Sequence, residues 1–162
     1  MRIPKPIEGE DLEMRVYVSQ AFSGAADWTA ARNRSEEFAD MLHAKGFEVY
    51  LPHVNTDPLE HAELDARTVF ERDRDEINKS DILLALLDEP SHGVGAEIVF
   101  ALNRGMIVLG VISPGKKVSR FILGLLEESK NGHYIRYDRF EEVIEELLRH
   151  TEPSSRICSQ IA

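Results

Sequence analysis

Cysteine is nearly missing from this chain: Cys158 is its single thiol. One thiol excludes an internal disulfide and cannot build a thiolate metal site alone, and it fits a reducing compartment. Positive charge is also scarce, with 19 Lys and Arg against 29 Asp and Glu and a net charge of −10. Proteins that hold long nucleic acids draw most of their affinity from basic surfaces, so that class is disfavoured. A small anionic ligand stays compatible where local donors oppose the overall field. No apolar run is long enough to span a bilayer, and the opening MRIPKPIEGEDLEM lacks the apolar core of a signal peptide, so the expectation is a cytoplasmic protein without membrane contact. The six histidines are scattered without a metal-ligand spacing. Internal repeats and low-complexity tracts are missing as well.

What is present is apolar material for one core: 162 residues at 43% hydrophobic content. The expected organisation is a leader over residues 1–14, a single domain over 15–150 and a tail over 151–162. Strands are expected at 15–19 (RVYVS), 47–51 (FEVYL), 82–87, 106–112 and 133–137. Helices are expected between them at 30–45, 66–79 and 118–129, with an amphipathic closing helix at 139–150. A polar connection over 52–65 holds His53 and His61, and a loop of that length is usually functional or mobile. Strand and helix alternation predicts an α/β, flavodoxin-like (Rossmann-like) fold. Its five-stranded parallel sheet has the order 2-1-3-4-5, helices on both faces and right-handed crossovers. That order sets the loops after the first and third strands, 19–27 and 88–95, across one crevice at the topological switch point.

The stretch over 82–105, ILLALLDEPSHGVGAEIVFALNRG, is the most informative. Its apolar start reads as a strand buried on both faces, its middle as a turn loosened by Gly93 and Gly95, and its end as a helix over 96–104 closed by Gly105. Glu97 is thereby expected in the first helical turn, where the macrodipole favours a carboxylate without any catalysis. Asp73, in ERDRDEINKSD, sits on the preceding helix among charges that ordinarily face water. Taken singly, neither acid demands a function.

Taken together, Asp73, Ser80 and Asp81 ahead of the strand, and Pro90, Ser91, Gly93, Gly95 and Glu97 after it, resemble the nucleoside 2-deoxyribosyltransferase superfamily. Within it the pattern looks most like the 2'-deoxynucleoside 5'-phosphate N-hydrolases. The resemblance spans residues 15–148 and is dense over 73–105. It implies cleavage of the bond between base and deoxyribose in a nucleoside monophosphate, with no metal or organic cofactor. Breaking that bond develops positive charge at the anomeric carbon, which a carboxylate can stabilise or capture as a glycosyl ester. The resemblance gives that role to Glu97. The departing base must be protonated or hydrogen-bonded, which calls for a second acid whose pKa is held above the first's. Asp73 matches the position that assists the base.

The same resemblance implies the substrate contacts. Ser91 matches a serine of the phosphohydrolases where nucleoside transferases carry an aspartate, and a hydroxyl beside the amides of Gly93 to Gly95 suits a 5'-phosphate. A turn or N-cap serine would look the same in sequence. Tyr17 matches a tyrosine of the deoxyribose site, Phe22 an apolar side chain packed on the base, and His53 a histidine near the base. As ordinary alternatives these are a core tyrosine, an anchoring loop aromatic and an exposed loop histidine. Ser119 matches a serine that reaches the phosphate from the neighbouring subunit of a homodimer, with Lys116 and Lys117 close by.

The loop after the first strand departs from the pattern. Where the phosphohydrolases carry a glycine, a serine and a phosphate-binding arginine, this chain has Gln20, Ala21 and Ser23. Ala21 and Ser23 are still expected to line the substrate. The lost arginine removes a charge-assisted contact that Arg32, Arg34 or Arg120 would have to replace. Asp75 and Glu76 resemble the cytidine monophosphate N-glycosidases, which leaves ribose against deoxyribose open. Two further readings stand beside the hydrolase: a deoxyribosyltransferase exchanging bases on free nucleosides, and a nucleotide-binding module without turnover.

Overall fold

The computed structural model describes residues 14–22, 27–56 and 60–151. The expected leader up to Glu13, the tail from Glu152 and Ser23 lie outside the described residues. Five parallel strands pair in the order β2-β1-β3-β4-β5, as the alternation predicts. They are β1 (Arg15–Gln20), β2 (Glu48–Tyr50), β3 (Ile82–Leu86), β4 (Ile107–Ile112) and β5 (Gly132–Arg136). Between and after them run α1 (Trp28–His43), α2 (His53–Thr56), α3 (Ala66–Asn78), α4 (His92–Asn103), α5 (Arg120–Glu128) and α6 (Phe140–Thr151).

The strands alternate sides with a period of two, and each side has its own core. Val16 and Val18 of β1 and Ile82, Leu84 and Leu86 of β3 pack with Phe38 and Leu42 of α1 and Val143 and Leu147 of α6. Tyr17, Leu83 and Ala85 face the other way, against Ile77 of α3, Ile98 and Ala101 of α4 and Leu126 of α5. Every residue of β3 is buried, which is why its sequence reads as an unbroken apolar run. At Gly132 a Cβ would sit 2.6 Å from the Leu126 carbonyl oxygen, so only glycine lets α5 lie this close to β5.

Most boundaries shift by one or two residues from those expected, and two differences bear on function. The helix expected over 96–104 begins at His92, because Ser91 caps it: its Oγ accepts from Val94 N at 3.3 Å. Gly93 and Gly95, read as loop-loosening, are helical, and Glu97 lies in the second turn. Gly105, at φ 76°, ends the element as expected. The connection over 52–65 contains the short helix α2, which periodicity cannot reveal in four residues.

At the carboxyl end of the sheet, Asp88 is buried and fully engaged. It accepts from the Arg34 guanidinium of α1, from Ser113 N at 2.8 Å and from Ser113 Oγ at 2.5 Å. Ser113 Oγ also lies 3.0 Å from Tyr137 Oη. This network ties α1 and the segments after β4 and β5 to the loop that leads into Ser91.

Candidate active site

The crevice expected at the switch point is a cavity of about 580 Å³. Its walls come from Gln20 at the end of β1 and Phe22 after it, His53 and Thr56 of α2, Asp73 of α3, and Ser91, Gly93 and Glu97 around the start of α4. No Arg or Lys is among the described residues that line it. The two acids singled out by sequence therefore reach one cavity from opposite flanks of β3.

Glu97 points back across the sheet toward β1. Tyr17 Oη donates to its Oε1 at 3.1 Å and Ser19 Oγ to its Oε2 at 2.5 Å. Both donors are fully buried, two residues apart on one face of β1. Burial pushes the Glu97 carboxyl up to about 7; the nearby charge of Asp73 adds to the rise, and the two hydroxyls oppose it. Tyr17 is held far above the usual phenol range, first by burial and then by the charges of Glu97 and Asp73. Its ring stacks on Tyr50, with centroids 5.6 Å apart.

Asp73 is pushed up to about 6, mainly by burial; the charge of Glu76 adds to this, while the Thr56 hydroxyl, 3.2 Å from Oδ1, opposes it. The order is the reverse of the one expected. Burial weighs more heavily on Glu97, which is packed against the sheet, than on Asp73, which lines the open side.

The other expected residues divide. Phe22 and His53 meet in the cavity wall with ring centroids 5.0 Å apart, and the buried His53 places Nε2 3.6 Å from Glu36 Oε1. Ser91 both caps α4 and lines the cavity, so the two readings of it are compatible. Ala21 faces a different, smaller recess of about 240 Å³ on the α1 side, together with Arg34 and Lys116. Ser119 lines a third hollow of about 480 Å³ with Lys117 and Ile122, and shares with the main cavity only the rim formed by Pro90, Ser91, His92 and Val94. Within this chain it does not join the two acids. Gly95 lines that hollow, and Gly93 the main cavity. Two of the three arginines named as replacements for the missing one are committed elsewhere: Arg32 to Glu36 and Glu60, and Arg34 to Asp88. Lys116 pairs with Glu89 at 2.6 Å.

Sequence reasoning missed Ser19 and Thr56. Ser19 ends an apolar strand and reads as the first residue of a loop, yet its alternation with Tyr17 was the available signal. Thr56 sits in a connection that showed no periodicity.

A pair of acids with raised pKa values, converging from both sides of the central strand, is a comparison point for known proteins. Residues 22–145 match the sequence model of the nucleoside 2-deoxyribosyltransferase family. The chain belongs to this family. A relative from Thermofilum pendens, provisionally named a 2'-deoxynucleoside 5'-phosphate N-hydrolase, is 34% identical over 137 residues, covering 83% of this chain and 92% of its own. A relative from Methanococcoides burtonii with the same provisional name is 35% identical over 113 residues, covering 68% and 90%. Among solved structures, the CMP N-glycosidase of Clostridium botulinum superposes with a TM-score of 0.61 at 26% identity, covering 84% of this chain and 98% of that one. The five-stranded parallel sheet with helices is the fold of these family members. Among the described residues, no cluster of His, Cys, Asp and Glu is placed to hold a metal ion, and no helix is long and apolar enough to cross a membrane.

Proposed function

We propose that this family member hydrolyses the N-glycosidic bond of (deoxy)nucleoside 5'-monophosphates, with Glu97 as nucleophile and Asp73 assisting the base. The observation that carries the reading is that both carboxyls, each raised by burial, line one cavity with no Arg or Lys among its described lining residues. The provisional names of the relatives point to the same reaction class.

In the first step a Glu97 carboxylate oxygen bonds to the anomeric carbon as its bond to the base nitrogen breaks, and Asp73 gives its proton to the departing base. In the second, water attacks the anomeric carbon, Asp73 takes the water's proton, and Glu97 leaves as carboxylate with the sugar 5-phosphate released. The reactive form has Glu97 charged and Asp73 protonated. The order of their pKa values makes it the minor of the two singly protonated forms, and positive charge developing on the sugar draws Glu97 toward the charged form. Phe22 and His53 form the wall against which the base stacks.

The 5'-phosphate is placed at the start of α4, where Ser91 and the first free amides offer donors. A homodimer completes the site: Ser119 and Lys117 lie outside the main cavity of their own subunit, and Phe121 beside them is 78% exposed on α5. A neighbouring copy covering Phe121 would bring such a pair to the phosphate. Phe121→Glu should then yield monomers by light scattering and weaken phosphate-dependent turnover.

One observation favours a second reading. With Arg32, Arg34 and Lys116 paired to carboxylates, and no Arg or Lys among the described residues of the cavity wall, a free nucleoside would fit too. Incubation with each nucleoside 5'-monophosphate and the matching nucleoside, followed by chromatography for free base, tests both. Base release confined to monophosphates supports the hydrolase. Exchange of bases on nucleosides supports the transferase, and binding without any release leaves a nucleotide-binding module.

A further inference from the structure

Glu97 is held by two hydroxyls from one strand, and only the tyrosine is accounted for by the residues that carry the family resemblance. We propose that Ser19 is a positioning residue for Glu97: its hydroxyl, donated to one carboxylate oxygen while Tyr17 donates to the other, favours the charged form and holds the side chain in one orientation for attack. This rests on the reading of Glu97 as the nucleophile.

The geometry is specific. Ser19 is fully buried, and its Oγ lies 2.5 Å from Oε2, within the short range of hydroxyl-to-carboxylate bonds. The backbone of Ser19 is fixed by pairing with Ala85 in β3, so the hydroxyl has little freedom to leave. Ala85 is small and lies on the same face, which gives the Glu97 side chain room to cross from α4 to β1. Each carboxylate oxygen accepts one hydroxyl and keeps a lone pair for the sugar carbon.

The groups around Glu97 make the contact consequential. Tyr17 comes from β1 and Asp73 from α3, while His53 of α2 and His92 of α4 line the same cavity. No Arg or Lys among the described residues of the wall balances a charge there. Ser19 and Tyr17 are the groups that favour the ionised carboxylate, against burial and Asp73. Without the Ser19 hydroxyl, one oxygen loses its donor and the carboxyl holds its proton to higher pH.

The test is the titration of Glu97 in the whole protein, followed by carboxyl carbon NMR with Glu97→Gln to assign the signal, alongside the pH profile of kcat/KM. In Ser19→Ala the titration midpoint and the alkaline limb of the profile should both move up by about one pH unit. Ser19→Thr, which keeps a hydroxyl, should restore both. Should Ser19→Ala not fold, Ser19→Cys, a poor donor of similar size, should show the same upward move. An unmoved midpoint in the folded variant overturns the proposal, since a merely structural serine would change stability and leave the titration in place. If no nucleotide is cleaved at all, the glycosidase reading falls, and the NMR midpoint still decides the Ser19 contact.

Discussion

Two buried carboxylates stand close to the end of β3, and they are treated in opposite ways. Asp88 meets an Arg34 guanidinium, a backbone amide and a serine hydroxyl, so its charge is compensated on every side. Glu97 meets two hydroxyls and another acid. A buried charge with a cation and full hydrogen bonding is a fastening, whereas one without a cation is held near its protonation midpoint. The difference separates the part of the carboxyl edge that holds the loops in place from the part that can exchange protons with a substrate.

The comparison can be broken first at the partner of Glu97. Asp73→Asn should lower base release by roughly 10²- to 10⁴-fold, the usual span for a general acid. The unsubstituted protein should show a bell-shaped kcat/KM with its maximum between about pH 6 and 7, set by the two raised acids. The variant should lose the alkaline limb, and an unchanged profile would remove Asp73 from the mechanism.

Next, Asp88→Ala should act on stability. Losing the hydrogen bonds of a buried carboxylate costs about 2–3 kcal/mol, which for a chain of this size lowers Tm by roughly 5–10 °C. Its turnover per folded molecule should stay well above that of Asp73→Asn. A thermal melt and an assay on the same sample read both.

The smallest effect separates Glu97 from Asp88 by pH. Folded Glu97 keeps its proton up to about pH 7, while the unfolded chain releases it near 4.5. Between those values the unfolded state binds fewer protons, so this group's contribution makes stability fall as pH rises. Glu97→Gln removes that fall. The Tm of the variant relative to the parent should therefore climb from about pH 4.5 to 7 by several degrees and then level off. A constant difference would mean that Glu97 is not buried as charged or neutral in the way described.

The same contrast explains what could be read from the sequence. The parallel sheet was legible because ILLAL and IVLGVI are buried on both faces, and its order followed from the alternation of strands and helices. Asp73 and Glu97 were legible only as a pair at a family spacing, since each alone passes for a solvated or helix-terminal acid. The contacts that tune them were not. Ser19 meets Glu97 across 78 residues of chain, and Thr56 meets Asp73 through a helix of four residues. The start of α4 was misplaced because Gly93 and Gly95 lower helix propensity, and the Ser91 cap outweighed them. The missing arginine was visible as an absence. That Arg32 and Arg34 do not replace it required their ion pairs to be seen.

The most direct test of the central claim is single-turnover base release from a nucleoside 5'-monophosphate at about pH 6.5, comparing the parent protein with Glu97→Gln, both shown to be folded by circular dichroism. The account predicts free base and sugar phosphate from the parent, and release slower by about 10⁴-fold or more from the variant, as for loss of a catalytic nucleophile. Equal release from Glu97→Gln would contradict it.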